Sequence, residues 1–542
     1  MSFINQTKTQ DGGKTQSSHL NWMGGRSWDI SHPVFQFRLV ASSCFFGEPM
    51  YYHRDPGDMR PAAEHPRTSL PDAALTLLRE SLDELVPAHW RGLTPAELME
   101  QAIDAALAAD PEATLQEAAR LRQEDRIRTT PQVALVRAAN HAAVRGSGLI
   151  ARYGPQIVQR LDEPATGLAY QLEKFGRPVP NALKKLWASV LAKADEYQLA
   201  KYRLDARTVK TLDVVNLCHP KSPAIDKLMR GTLRLDENTW ESLISSRGAS
   251  AETWQQALPL MGHMALLRNL RNLLEHKVPP ELFLPALKQG AARGMQLPFR
   301  YYSAYCAVKK TAPPSVLDAI EECLVTSLGN LPFFPGRVMS LCDNSGSAQG
   351  TATSSMGRVK VSTIANLTAI LTAMQSEEGW VGVFGDGLET RPVRKRSSVF
   401  DVLNETNTLG KDIGQGTENG IWLFWDKAIR EREHWDMVFV YSDMQAGHGG
   451  LFGLQPEQYA RYQWVDSRYI DVPKLVKEYR RQVNPEVKVF LVQVAGYKDT
   501  IMPEFFDRTF ILGGWSDGVL RFAAQMAGIH SVPIAGTEDE AA

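Results

Sequence analysis

The chain has 542 residues, too many for one hydrophobic core, so two or more domains are expected. Its 44% hydrophobic and 22% charged residues are ordinary for a soluble globular protein, and no run of apolar residues is long enough for a membrane span. The net charge of −1 hides an imbalance: residues 177–310 hold 21 Lys and Arg against 11 Asp and Glu, a net +10, and residues 336–542 hold 21 against 26, a net −5.

The opening stretch MSFINQTKTQDGGKTQSSH is polar and has no apolar centre. It does not read as a secretory signal, and residues 1–34 are expected to be a disordered or irregular lead-in. From Pro71 to Leu331 the pattern is helical. DAALTLLRESLDELV, PAELMEQAIDAALAA and PEATLQEAARLR space their apolar residues by three and four. Pro71, Pro95 and Pro111 suit first helical turns, and Thr94 and Asp110 suit N-caps. The stretches PQVALVRAANHAAV, NALKKLWASVLAKADEYQLAKY, ARTVKTLDVVNL, AETWQQALPLMGHMALLRNLRNLL and PELFLPALKQGAARG continue the pattern. Short connections between them imply stacked antiparallel pairs, an irregular helical solenoid over residues 35–332.

Near Pro332 the pattern changes. RVMSLCD, WVGVFGD, WDMVFVYSD and VKVFLVQVAG read as strands buried on both faces, separated by the helical STIANLTAILTAMQ, NGIWLFWDKAIRE and VPKLVKEYRRQV. Such alternation implies a doubly wound α/β domain with a parallel sheet over residues 333–532, followed by an acidic tail at 533–542. The five cysteines are scattered and form no CxxC pair, as expected for reduced thiols in a cytoplasmic protein.

Ligands of open α/β sheets bind beyond the carboxyl ends of the strands. One strand here ends in Asp343, followed by Ser345 and Ser347; another ends in Asp443; a loop between them carries Thr417. Two carboxylates and three hydroxyls form a hard oxygen set suited to Mg²⁺ or another divalent cation. A serine-rich turn without a metal is the plainer alternative. The arrangement resembles the metal-ion-dependent adhesion site (MIDAS) of von Willebrand factor A domains, which runs Asp-x-Ser-x-Ser, then Thr, then Asp. This chain has Gly-Gln-Gly-Thr where that family has Gly-Gly-Thr.

The basic block admits two readings, a polyanion partner or a solvated helical surface. Lys184 and Lys185 begin a helical stretch, Lys201, Arg203 and Arg207 lie at the end of a helix and in the following turn, and His219 precedes Pro220 and Lys221. Cations of this kind contact phosphates without reading sequence, and a histidine beside them can stack on a base. Arg268 and Arg271 share a helix face, where Glu275 could pair with them. His141 and His263, and the tryptophans Trp22, Trp28, Trp240 and Trp254, are expected to serve packing.

The segment ALPLMGHMALLRNLRNLLE resembles a signature of the Ro autoantigen family, the TROVE-domain RNA-binding proteins. KYRLDARTVKTLDVVNLCHPKSPA, QLPFRYYSAY and CFFGEPMYYHRD are similar to other stretches of that family, which also places an A-type domain after its helices. The resemblance implies a ring of HEAT-like helical pairs closed by the A domain. It implies that single-stranded 3′ ends of misfolded or immature noncoding RNA enter a central hole, and that Y-type RNA binds the basic outer surface. Lys201, Arg203 and His219 match the family's Y-RNA-binding positions, and Arg207 matches after one inserted residue. Arg268 is a candidate RNA contact. The resemblance further implies a monomeric, non-enzymatic protein working beside an exoribonuclease such as polynucleotide phosphorylase. The sequence offers no GxSxG elbow, Walker A loop, HExxH or well-placed GxGxxG that would argue for catalysis. The competing expectation is a metal-dependent protein-interaction scaffold that works through the A domain without RNA.

Overall fold

The computed structural model describes residues 18–20, 26–30, 32–42, 44, 48–49, 51, 95–205, 207–233, 239–294, 296, 298–351, 359–395, 397–414, 420–443, 461–463, 470–495, 499–502, 507–514 and 517–529. The expected first helix DAALTLLRESLDELV, the Thr94 cap, Trp22 and the acidic tail lie outside them.

Two short strands, β1 (Ser18–Leu20) and β2 (Arg26–Asp29), pair antiparallel, so part of the expected lead-in is ordered structure. Helix α1 (Pro33–Ser42) follows. The helical array then runs through α2 (Pro95–Ala109), α3 (Pro111–Gln123), α4 (Thr129–Asn140), α5 (Leu149–Ile157), α6 (Glu163–Lys174) and α7 (Asn181–Ala192). It continues through α8 (Glu196–Lys201), α9 (Thr211–Cys218), α10 (Pro223–Met229), α11 (Trp240–Arg247), α12 (Ala251–Ala257), α13 (His263–Glu275), α14 (Pro280–Arg293), α15 (Pro298–Val308) and α16 (Pro314–Ser327). Asp110 caps α3 as expected, its carboxylate accepting from the Ala113 amide at 2.9 Å.

Two long helical stretches expected from periodicity are divided. Residues 181–202 break at Lys193, because Asp195 and Gln198 form a reciprocal capping box that starts α8 afresh. Residues 251–275 break at a 3₁₀ turn over Leu258–Leu260, which contains Pro259 and precedes Gly262. Apolar spacing survives both breaks, so the period alone does not show them.

The α/β domain contains a six-stranded sheet of order β5-β4-β3-β6-β7-β9, where β3 is Phe334–Asp343, β4 Ser376–Phe384, β5 Leu388–Pro392, β6 Met437–Ser442, β7 Lys488–Gln493 and β9 Thr509–Gly513. All neighbours are parallel except β5, an antiparallel edge strand. Helices α17 (Val361–Met374), α18 (Val399–Asp412), α19 (Gly420–Arg430), α20 (Val472–Gln482) and α21 (Asp517–Met526) complete the domain. Along β3, Val338 and Cys342 join one apolar core while Met339 and Leu341 join another, so both sheet faces are covered. The core on the Val338 face runs without interruption into α13–α16.

The other end of the helical array also reaches this domain. Val34, Phe37, Val40 and Ala41 of α1 belong to the core of the first helices, whereas Phe35 and Leu39 belong to the core on the second sheet face. Helix α1 therefore packs on both, against α2 and α3 on one side and β9 on the other. Strand β2 adds a second tie by pairing with β8 (Asp499–Thr500), placing Trp28 opposite Thr500. At the far end Tyr305 of α15 stacks on Phe400 of α18 with ring centres 3.9 Å apart, and Glu321 of α16 accepts from the Ser398 hydroxyl at 2.7 Å. An array held at both ends by one domain forms a closed circuit.

Candidate metal centre and nucleic-acid interface

Cys342 lies opposite Tyr441 in the parallel pairing of β3 and β6, so the strand ends bring Asp343 beside Ser442 and Asp443. Asp343, Ser345 and Asp443 are almost completely buried, and Ser347 nearly so. The Asp343 carboxylate accepts from the Ser442 hydroxyl at 2.6 Å, from the Ser345 amide at 2.9 Å and from the Asp443 amide. The Ser345 and Ser347 hydroxyl oxygens are 3.2 Å apart. Burial raises the Asp343 pKa, and these hydrogen bonds pull against it. Among the described residues no lysine or arginine forms an ion pair with Asp343. A buried carboxylate beside two converging hydroxyls and a second buried carboxylate is a donor set into which a hard divalent cation fits. Thr417 lies outside the described residues.

Sequence reading passed over what holds this loop. Asn344 is fully buried; its amide donates to the Cys342 carbonyl at 3.1 Å and to Asn366 of α17 at 2.8 Å. Its side-chain oxygen accepts from Gln349 and Asn366, both at 3.0 Å, and Asn366 donates to Asn407 of α18 at 2.8 Å. The available signal was Asn366, an amide in a helix that is buried almost all round and whose other polar residues are only serine and threonine.

The helical candidates fall into two groups at opposite ends of α9. Lys201 ends α8, and the Arg203 carbonyl accepts from the Thr211 amide at the start of α9, at 3.1 Å. Arg207, in the intervening turn, is exposed. His219 terminates α9 in the left-handed conformation (φ 51°) and is exposed; Pro220 follows it. Lys184 lies near Cys218, whose thiol burial lifts to about 11 against the pull of that ammonium. The eight residues of α9 separate the groups by about 12 Å. Lys185 is exposed on α7.

The first group is already partnered. Lys201 pairs with Glu241 of α11 at 3.3 Å and Arg203 with Asp205 at 3.0 Å. Burial works to lower the Lys201 pKa, but Glu241 and Tyr197 outweigh it and raise it. Half-exposed pairs of this kind are worth about 0–1 kcal/mol, so exchanging a carboxylate for a phosphate costs little.

Arg271 pairs with Glu275 at 3.5 Å, as the sequence suggested. Arg268 is exposed and close enough to Arg300 of α15 to repel it; Arg128, just before α4, repels Arg300 as well. Arg300 is open to solvent, yet surrounding protein first, and then these two cations, hold its guanidinium below the ordinary range. Sequence reading missed Arg128 and Arg300, which are distant in the chain. It also missed Glu48, whose carboxylate accepts from the Arg128, Thr129 and Thr130 amides and so fixes the start of α4. Tyr51 joins this clasp through the Thr130 hydroxyl at 2.6 Å. Among the other packing residues, His263 bonds the Tyr301 hydroxyl at 2.7 Å, and Trp254, almost fully buried, stacks on Trp240.

Among the described residues no helix is long and apolar enough to cross a membrane. The family model of the TROVE domain matches residues 229–282, which include Arg268 but none of the candidates between Lys184 and His219. No curated protein matches the chain. The crystal structure of the Ro (Rsr) protein of Deinococcus radiodurans is similar in fold, with 14% sequence identity and a TM-score of 0.51. The match covers 91% of this chain and 99% of that one, so the helical array and the α/β domain are matched together. This chain thus shares a TROVE-type segment with that family and its fold, over nearly the whole length, with a bacterial Ro protein.

Proposed function

We propose that this chain is a noncatalytic RNA-binding protein that takes single-stranded 3′ ends of noncoding RNA into an enclosed cationic site and holds structured, Y-type RNA on its outer surface. The reading rests above all on the approach of Arg128, Arg268 and Arg300. Arg128 comes from the first part of the array and the other two from its last part. Arg268 and Arg128, the latter also paired with Asp162 at 2.8 Å, both disfavour the charge on Arg300, and a phosphate backbone would relieve that repulsion. The Lys201, Arg203, Arg207 group and the Lys184, His219 group supply the outer contacts, with Lys185 beside them.

Arg268→Gln combined with Arg300→Gln should weaken binding of 3′-tailed RNA roughly tenfold or more and lower its salt dependence, with little loss of thermal stability because repulsion is removed. Unchanged affinity for tailed RNA would remove the enclosed site from the proposal.

The α/β domain is proposed to carry Mg²⁺ on Asp343, Ser345, Ser347 and Asp443, with Thr417 as a further ligand. When bound, the ion would offer an open position to a carboxylate or phosphate of a partner, and an exoribonuclease such as polynucleotide phosphorylase is the proposed partner for RNA hand-off. Mg²⁺ should raise the melting temperature of the wild type and leave that of Asp343→Ala unmoved; equal responses would argue against the site.

The pairing of Lys201 and Arg203 with carboxylates also suits the second reading, a metal-dependent protein scaffold that ignores RNA. A purified protein with no RNA affinity and no co-purifying nucleic acid would favour it.

A further inference from the structure

We infer that Tyr197 is a stacking platform for an unpaired RNA base on the outer surface, a role that rests on the RNA binding proposed above. Helix α8 buries Leu199 and Ala200 but turns Tyr197 outward, leaving this large ring 41% exposed. Lys201, four residues on and so on the same face, stands with its ammonium 5.6 Å from the ring centre and 3.5 Å from the phenol oxygen. Next along the chain, Tyr202 lies beneath the guanidinium of Arg160, 5.3 Å from its ring centre, and Arg160 donates to its hydroxyl at 3.2 Å. Lys227 of α10 pairs with Glu196, at 2.6 Å, which brings the end of α10 and the exposed Met229 to the start of α8.

An exposed ring interleaved with cations is the chemistry of single-strand binding: the cations follow the backbone and the ring takes a base face. A duplex hides its base faces within its own stack, so Tyr197 favours an unpaired nucleotide in a loop or bulge. The phosphate beside that base would then meet Lys201 in exchange for Glu241. The simpler role for Tyr197 is to position Lys201, and the two roles separate cleanly in a binding experiment.

Fluorescence anisotropy with the full chain, carrying Arg268→Gln and Arg300→Gln throughout so that the enclosed site does not dominate, would compare a labelled single-stranded oligoribonucleotide with the blunt duplex of the same sequence. The proteins are this parent, Tyr197→Phe, Tyr197→Ala, Lys201→Ala and the Tyr197→Ala, Lys201→Ala double variant, each checked by thermal melting. Stacking predicts that Tyr197→Ala weakens single-strand binding roughly 5- to 100-fold, with duplex binding and the salt slope unchanged. Tyr197→Phe keeps most of the affinity, and Tyr197→Ala still costs affinity in the Lys201→Ala background. If the parent binds neither RNA, if Tyr197→Ala binds as well as the parent, if Tyr197→Phe falls as far as Tyr197→Ala, or if the tyrosine adds nothing once Lys201 is gone, the inference is overturned. A wild type that binds neither RNA overturns the underlying RNA-binding reading as well.

Discussion

The single residues that matter most are those whose partners are ready to be exchanged. Lys201 is paired with Glu241, and under the proposed RNA binding a phosphate would displace that carboxylate. Glu241→Gln removes the competitor while keeping the shape, so it should strengthen binding of structured RNA a few-fold, as a filter-binding titration at moderate salt would show. Weaker binding would mean that Glu241 holds Lys201 in place for the RNA. The proposed metal donors were legible as a group because they follow a fixed order at strand ends, and the structure brings Asp343, Ser345, Ser347 and Asp443 together there. Arg128, Arg268 and Arg300 were not legible as a group, because the fold alone brings them within electrostatic reach and no sequence spacing encodes that.

Helices and strands were legible where burial sets the period. The four strands read from the sequence appear as β3, β4, β6 and β7. The edge strand β5, half exposed, lacks the apolar run that marked the others. Helix boundaries were harder, since a capping box at Asp195 and a Pro–Gly break near Leu260 interrupt stretches whose apolar spacing continues. Another feature hidden at this scale is the close approach of α18 to the loop after Asp343. Gly410 of α18 lies so near Asn344 that an added methyl group would overlap its side-chain oxygen and crowd Gln349. Gly410→Ala should therefore destabilise the chain by about 1–3 kcal/mol, the usual cost of overpacking, and weaken any Mg²⁺-dependent rise in melting temperature. An unchanged melt would show that α18 can shift without disturbing the loop.

For the whole molecule, the least legible feature is the bridging role of α1, whose Val34, Phe37 and Val40 pack into the helices and whose Phe35 and Leu39 pack into the α/β domain. Two apolar stripes on one short helix read in sequence as a general apolar run, not as a bridge. A Cβ on Gly513 of β9 would lie 2.6 Å from the Leu39 Cα. Gly513→Val should thus push α1 off the sheet, exposing the first forty or so residues to limited proteolysis while the α/β domain itself stays folded. Protection equal to the wild type would mean that α1 does not close the circuit.

The proposed entry of an RNA 3′ end among Arg128, Arg268 and Arg300 is tested most directly by one comparison. The wild-type chain is titrated with a structured RNA carrying a single-stranded 3′ tail and with the same RNA cut blunt, across a range of salt concentrations. Entry of the 3′ end predicts that the tailed RNA binds at least tenfold more tightly and with the steeper salt dependence, because the tail adds phosphate contacts to Arg128, Arg268 and Arg300. Equal affinity and equal salt slope for the two RNAs would contradict it.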